Sequence, residues 1–401
     1  MKIYTCALKP FEADDYFYTR DSGLLCRSFQ NIGVESKVIM PRRKDDLKDP
    51  YHDVVRGTME ELRSPCWWGN LGIDAVAIVT WGHVEDTPVI RAAKESGIKI
   101  ILVTDDGEGG ITGFSDLLKM TWGKLYHLTF PRRQIETLTK IPLLYLWSRW
   151  RKRGRYSQYQ YADLITCWTT RIASNVRQGL RCRDYNQPKF IHGYPSSTDT
   201  NLDFTTKERP QPPSIIAVAR WDAIKHKRPH FLMDVCKTLL EKDARITIHI
   251  YGRTIPYMYG ILEMLPKSQK ERLFLHGFCD NSEILSRMRL CDVAICPSAA
   301  ECGPVPMAEA LCQGCSVVGG GNVAEWAAKS GYGTIVSKDN PVAFSEAVIT
   351  EIEKWHRGNY DRRANASFWK EHYGSTRLAE QIRDSLIILT AKTTGAPPEK
   401  H

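Results

Sequence analysis

The stretch "CDVAICPSAAECGPVPMAEALCQGCSVVGG", Cys291 to Gly320, decides the fold. Its order is an apolar strand, a polar loop, an apolar helix and a second short strand. Glu301 stands in the loop just past the C-terminal end of the first strand, and Glu309 in the first turns of the helix. In open parallel sheets, ligands bind at that edge, outside the carboxyl ends of the strands. Two carboxylates there can accept hydrogen bonds from a polyol such as a sugar or a ribose. Alone the spacing carries little, because two exposed glutamates seven residues apart arise easily by chance.

Outward from this stretch the same rhythm repeats. "SIIAVARW", "ARITIHIYG", "RLFLHGF" and "GTIVS" read as strands, separated by helical segments "RPHFLMDVCKTLLEK", "PYMYGILEMLPKSQKE", "SEILSRMRLC" and "VAEWAAKSG". "PVAFSEAVITEIEKW" and "FWKEHYGSTRLAEQIRDSLIILT" are terminal helices, and the polar tail from Ala391 is expected to be disordered. "TTKERPQPP", Thr205 to Pro213, places three prolines in four positions and reads as a stiff linker. Before it, "KIYTCAL", "ESKVIMP", "DAVAIVT", "IKIILVT", "ADLITCWTT" and "KFIHGYP" are further strands. "DSGLLCRSFQNIG" reads as a helix capped by Asp21 or Ser22 and ended by Gly33; "TPVIRAAKESG" is a helix closed by Gly97, and another closes near Gly179. The near-continuous apolar run Asp74 to Thr80 suits a strand covered on both faces. The class is therefore α/β, with two doubly wound Rossmann-like domains. The expected boundaries are 1–204, a linker at 205–213, 214–360, terminal helices at 361–390 returning to the first domain, and a tail at 391–401.

Length and composition narrow the function classes. The 401 residues suffice for two sizeable cores, and 42% hydrophobic with 25% charged residues is ordinary for a soluble globular chain. No apolar run of eighteen residues is present, and the start "MKIYTCALKP" lacks the long apolar stretch of a signal peptide, so the expected location is the cytoplasm. Twelve scattered cysteines are expected to be reduced, and Cys312 and Cys315 form an isolated C-x-x-C without a second pair at zinc-site spacing. The net charge of +9 suits an anionic ligand or membrane surface; no finger, RNP-like or homeodomain signature supports nucleic-acid binding. "PLLYLWSRWRKRGRY", residues 142–156, sets Tyr145, Trp147 and Trp150 beside Arg149, Arg151, Lys152, Arg153 and Arg155. That mixture suits peripheral contact with an anionic bilayer, on the inner membrane face, and a solvated helix is the plain alternative.

Three further signals accompany the two glutamates. In "ARWDAIKHKRPHFL", Arg220 follows a buried strand, and Lys225, Lys227 and Arg228 precede a helix; such cations can neutralise charge on a leaving diphosphate. "LHGF", Leu275 to Phe278, is a turn after a strand that can offer backbone groups and an aromatic face to a nucleobase. In "GGGNVAEW", Gly319 to Gly321 permit close backbone approach, and Glu325 follows at a helix start.

In this order the four signals resemble the C-terminal domain of retaining GT-B glycosyltransferases of the family 4 type, also called glycosyl transferases group 1. "PSAAECGPVPMAEALCQGCSVV" keeps that family's Pro297, Ser298, Glu301, Gly303, Pro306, Glu309, Ala310, Gly314, Val317 and Val318. The resemblance is good over about residues 160–345 and is one of rhythm alone in the N-terminal third. It implies a GT-B fold with a central cleft, and a nucleotide-sugar donor, UDP- or GDP-linked. Glu301 would contact the transferred sugar, helped by backbone amides of Cys302, Gly303, Pro304 and Val305. (Pro304 lacks an N–H and would contribute only its place in the turn.) Glu309 would accept from the ribose, Arg220 with Lys227 or Lys225 would grip the diphosphate, and the turn at Gly277 and Phe278 would receive the base. No metal or other cofactor is implied.

Transfer would proceed with retention, to the hydroxyl of a glycan, lipid-linked or small-molecule acceptor. On the N-terminal side, Gly23 occupies the place of the family's glycine loop, where more than one glycine is usual. A histidine common after a middle strand is replaced here by Asp105 or Asp106, with His83 and His127 as other candidates on the acceptor side. A catalytically silent nucleotide- or sugar-binding protein of this fold and a GT-B-like epimerase or phosphorylase are the competing readings.

Overall fold

The computed structural model describes residues 1–43, 52–104, 138–139, 141–185, 187–196, 212–299, 304–320, 331–336 and 340–394. The linker at 205–211, the Glu325 loop and most of "VAEWAAKSG" lie outside the described residues. The chain divides into two compact units.

The first unit is built on β1 (Ile3–Ala7), β2 (Val38–Pro41), β3 (Val54–Gly57), β4 (Ala75–Thr80), β5 (Lys99–Thr104), β6 (Leu164–Cys167) and β7 (Lys189–His192). They form one parallel sheet in the order β3-β2-β1-β4-β5-β6-β7. Every residue of β1 and β4 is buried, as expected of central strands covered on both faces. Sequence order reverses between β1 and β4, which pair from Ile3 with Ala75 to Ala7 with Val79. Strand β3 has no counterpart in the sequence reading; "VVRG" is four residues long and half-buried, too short for a periodic signal.

The helices of this unit include α1 (Asp21–Asn31), α2 (Thr87–Glu95), the C-terminal half of α3 (Ile141–Tyr159) and α4 (Thr170–Arg181). The expected cap of α1 is corrected. Neither Asp21 nor Ser22 caps α1: the Asp21 carboxylate accepts from the Tyr194 hydroxyl at 2.7 Å and from Arg20 Nε at 2.9 Å. The Ser22 hydroxyl donates instead to the Cys6 carbonyl of β1 at 3.2 Å. Helix α4 does close near Gly179, ending at Arg181, and the missing side chain of this glycine is where the Tyr156 ring lies, 2.0 Å from where a Cβ would stand. Gly33, at φ 75°, and Gly97, at φ 89°, do sit at helix ends as read.

The second unit carries β8 (Ser214–Val218), β9 (Thr247–Tyr251), β10 (Leu273–Gly277), β11 (Val293–Cys296), β12 (Ser316–Gly319) and β13 (Gly333–Ile335). All are parallel, in the order β10-β9-β8-β11-β12-β13. Its helices include α5 (Ile224–Lys227), α6 (Pro229–Lys242), α7 (Asn281–Met288), α8 (Val305–Cys312), α9 (Pro341–His356) and α10 (Arg362–Tyr373). Ile215, Ala217, Trp221, Phe231, Leu239, Ile248, Ile250, Val318 and Trp355 form its core. The segment read as one helix from Pro256 is two, Pro256–Met264 and Lys267–Lys270, because Pro266 cannot continue a helix.

The terminal stretch read as one helix from Phe368 is two, broken at Gly374, and the two part company. Arg362 of α10 pairs with Asp292 at 3.2 Å, and Asn365 donates to the Cys315 carbonyl at 2.7 Å, which holds α10 on the second sheet. The last helix, α11 (Ser375–Thr394), packs against α1 of the first unit through buried Leu378, Ala379, Ile382 and Leu386. It continues three residues beyond Ala391, the expected start of the tail, and residues 395–401 lie outside the described residues. No helix among the described residues is long and apolar enough to cross a membrane.

Candidate active site

Strand order in the second sheet reverses between β8 and β11, so the loops leaving these neighbours open a crevice at their carboxyl ends. Arg220 leaves β8 as an exposed side chain; among the described residues no carboxylate pairs with it. Beyond it, α5 ends at Lys227, and Arg228 adopts φ 55° with its guanidinium 4.1 Å over the Phe231 ring. The loop leaving β11 docks on this turn: the Ala299 N–H donates to the His226 carbonyl at 2.9 Å. The cationic turn thereby lies against the loop that leads into Glu301. Glu301, Cys302 and Gly303 themselves, and the side chain of Lys225, lie outside the described residues.

Pro304 precedes α8, with Val305 as the first helical residue. Glu309 is buried on this helix at 7% exposure. Asn281, at the start of α7, donates to Glu309 Oε1 at 3.5 Å. That contact ties Glu309 to the turn after β10, where Gly277 has φ 72° with open space beside it and Phe278 is 68% exposed. Three strand ends are bound together here. Ala219 N donates to Tyr251 O at 3.2 Å, Trp221 N to Arg253 O at 2.9 Å, and Gly252 N to Gly277 O at 2.7 Å. Gly252, at φ 105°, is essential to this, since a Cβ would stand 1.9 Å from the Ala219 carbonyl oxygen. Neither Gly252 nor Asn281 was singled out from the sequence. The glycine ending "IHIYG" is a legible signal for close backbone approach; Asn281 carries none.

Beside the turn, His249 Nδ1 and His276 Nε2 lie 3.0 Å apart, and the His276 ring stacks on Tyr251 with centroids 4.2 Å apart. Burial, then Arg287 and His276, push His249 down to about 4; burial and Arg287 also lower His276. Both rings are therefore neutral at pH 7, which lets one donate to the other. Cys312 and Cys315 are buried and form no disulfide, and Cys315 donates to the Met288 carbonyl at 2.9 Å.

The first sheet has its own crevice at the β1/β4 reversal, a cavity of about 370 Å³ lined by Lys9, Pro10, Phe11, Trp81 and His83. Sequence reading singled out only His83 here. Its Nδ1 lies 3.7 Å from Glu85, and its carbonyl accepts from the Gln158 amide. Asp86 is buried nearby, pushed up to about 6 by burial and the Glu85 charge. Gly23 is not at this cavity: it is buried in α1, where a Cβ would meet the Phe17 carbonyl oxygen at 2.4 Å, so packing already demands a glycine. Asp105 and Asp106, like His127, lie outside the described residues.

Residues 212–354 match the glycosyl transferases group 1 family model. No curated protein matches the chain. Sucrose-phosphate synthase from Thermosynechococcus elongatus is 14% identical, with 98% of this chain and 100% of that chain covered at a TM-score of 0.61. The pneumococcal O-GlcNAc transferase GtfA, solved with UDP and GlcNAc, is 11% identical at 97% and 99% coverage and a TM-score of 0.63. The lipopolysaccharide outer core galactosyltransferase WaaB, in its apo form, is 12% identical at 97% and 100% coverage with a TM-score of 0.62. At such identities the likeness is one of fold: two parallel-sheet Rossmann-like domains, as in GT-B proteins. The group 1 segment contains Arg220, Lys227, Gly277, Phe278, Glu301 and Glu309; Gly23, His83, Asp105 and Asp106 fall outside it.

Proposed function

We propose that this protein is a retaining glycosyltransferase that moves a sugar from a UDP- or GDP-linked donor to an acceptor hydroxyl without a metal ion. One observation carries the reading: within the group 1 segment, the Ala299–His226 and Asn281–Glu309 hydrogen bonds gather three separate motifs at the carboxyl edge of β8 and its neighbours. Arg220 and Lys227 hold the diphosphate and offset the charge that develops as it leaves, the work a divalent cation does elsewhere. Glu309 accepts from the ribose hydroxyls. The turn at Gly277 and Phe278 receives the base. Glu301, with the Cys302, Gly303 and Val305 amides, orients the transferred sugar. Acceptor oxygen and leaving diphosphate lie on the same face of that sugar, and the diphosphate oxygen takes the acceptor's proton as the new C–O bond forms.

The test is release of nucleoside diphosphate from UDP- and GDP-sugars with a pool of glycoside and lipid-linked acceptors, with and without EDTA, followed by NMR of the product anomer. Release in EDTA and a retained anomer are expected. A catalytically silent binding protein would bind UDP or GDP and release nothing from any donor, and that outcome overturns the reading.

The acceptor side includes a membrane. Helix α3 is anchored by buried Arg155, Tyr156, Gln158 and Tyr159, while Leu143, Leu146 and Trp150 are 65%, 62% and 60% exposed. Their spacing of three and four puts them on one face. Arg149, Arg151, Lys152 and Arg153 adjoin Trp150 in sequence, a composition that fits an anionic bilayer surface. Sedimentation with phosphatidylglycerol vesicles, absent with phosphatidylcholine, is expected. Changing Leu143, Leu146 and Trp150 together to Ser should abolish it; unchanged sedimentation would rule this surface out.

A further inference from the structure

The cavity past the carboxyl ends of β1 and β4 has a lining unlike the donor edge, and its chemistry identifies what it takes. Phe11 and Trp81 meet with centroids 6.0 Å apart and planes 71° apart, forming a corner of two aromatic walls. The walls are held from behind: the Phe17 ring lies 6.0 Å from Phe11, and Arg56 donates to the Phe11 carbonyl at 2.8 Å. A flat aromatic wall covers the C–H face of a pyranose, and a second wall edge-on to it stops the ring from sliding. The volume of about 370 Å³ is at the small end of ligand sites, about 300–1,000 Å³.

The polar lining consists of Lys9 and His83. A lysine ammonium has three N–H donors and no acceptor, and an imidazole adds one donor. Among the described residues no carboxylate lines the cavity, so none of these side chains takes a pair of sugar hydroxyls as Glu309 would. The acids near it are not part of the lining: Glu85 is exposed beyond His83, and Asp86 is buried, within reach of the Lys9 charge. A donor-rich rim over an apolar corner selects a ligand that brings its own acceptors on a ring with an apolar face.

We propose that this cavity binds a pyranoside carrying an anionic group, a phosphate or a carboxylate, with the ring against Trp81 and Phe11 and the anion on Lys9. Its assignment as the acceptor of the transfer reaction rests on the glycosyltransferase reading; the binding itself does not.

The experiment is titration calorimetry of the full-length protein with glucose 6-phosphate, glucuronate, methyl glucoside and inorganic phosphate, with UDP and GDP as separate arms. Glucose 6-phosphate and glucuronate should bind about ten-fold or more tighter than methyl glucoside, the scale of one charge-assisted hydrogen bond, and inorganic phosphate should bind more weakly than glucose 6-phosphate. Whichever of the two anionic sugars is tighter names the anion. Lys9→Ala, an exposed change, should erase the preference for the anionic sugars. Trp81→Ala should weaken every sugar by about ten-fold, with Phe11→Ala as the substitute if its thermal midpoint shows that it fails to fold. None of these changes should move UDP or GDP affinity. Equal binding of inorganic phosphate and glucose 6-phosphate, no sugar binding at all, or variants that bind like the parent would overturn the proposal. If sugars bind as described but neither nucleotide does, the donor reading fails and the cavity stands; if a nucleotide binds but no sugar does, the cavity proposal alone fails.

Discussion

Glu309 is a carboxylate at 7% exposure that accepts from the Asn281 amide at 3.5 Å. A carboxylate so buried costs free energy unless hydrogen bonds satisfy it, and the proposed ribose hydroxyls are donors of that kind. Glu309→Gln keeps the volume and removes the charge, so UDP or GDP affinity should fall about 10–100-fold, the range for a hydrogen bond to a charged group. Calorimetry measures this, and unchanged affinity would overturn the ribose assignment. Arg220 is the complementary case. It is exposed and packs nothing into the core, so Arg220→Gln should leave the thermal midpoint unmoved while turnover drops by about 10²–10³, the cost of one donor to a developing oxyanion. At this scale the sequence offered candidates: Arg220, Lys227, Gly277 and Glu309 stand out because charge or glycine in the segments that follow strands is chemically conspicuous. Asn281 was unreadable, because an asparagine at a helix start ordinarily means a cap.

Among the elements, the paired strands β9 and β10 carry a consequence for acid stability. Phe274, His249, His276 and Tyr251 stack in succession, with centroid separations of 4.9, 5.3 and 4.2 Å, because alternate residues of neighbouring strands share a face. His249 is held neutral, at about 4 in the folded protein against about 6.5 when unfolded. The unfolded chain therefore binds more protons between these values. The stabilisation is fully present above about pH 6.5 and is lost as pH falls from there towards 4. Urea midpoints at pH 7.5 and 5.0 should show this fall, and His249→Gln should flatten it. An equally steep fall in the variant would place the effect elsewhere. Elements also show where period reading misled: α1 looked capped by its first polar residues, yet Asp21 and Ser22 are occupied by Tyr194 and Cys6, partners distant in sequence.

For the whole molecule, the order of packing differs from the order of the chain. Helix α11, the last described element, covers α1, near the start. Burial of Leu378, Ile382 and Leu386 contributes roughly 1.5–3 kcal/mol each. A chain ending at Gly374 should therefore unfold at least ~10 °C lower, or fail to fold in its first unit. A thermal midpoint within a degree or two of the parent would refute that role for α11.

What the sequence determined by itself is the class and the rhythm. Near-continuous Val/Ile runs alternating with amphipathic stretches are legible because local burial imposes a period on each segment, and the pair Glu301 and Glu309 after "DVAICPS" is legible because strand ends are where ligands bind. Only the tertiary structure decided the strand orders, and with them the two reversals, β1 beside β4 and β8 beside β11, that open the crevices. Lys9, Phe11 and Trp81 are unremarkable until those strands become neighbours. The physical reason is that a crevice belongs to a pair of strands seventy or more residues apart, and no local pattern records which strand lies beside which.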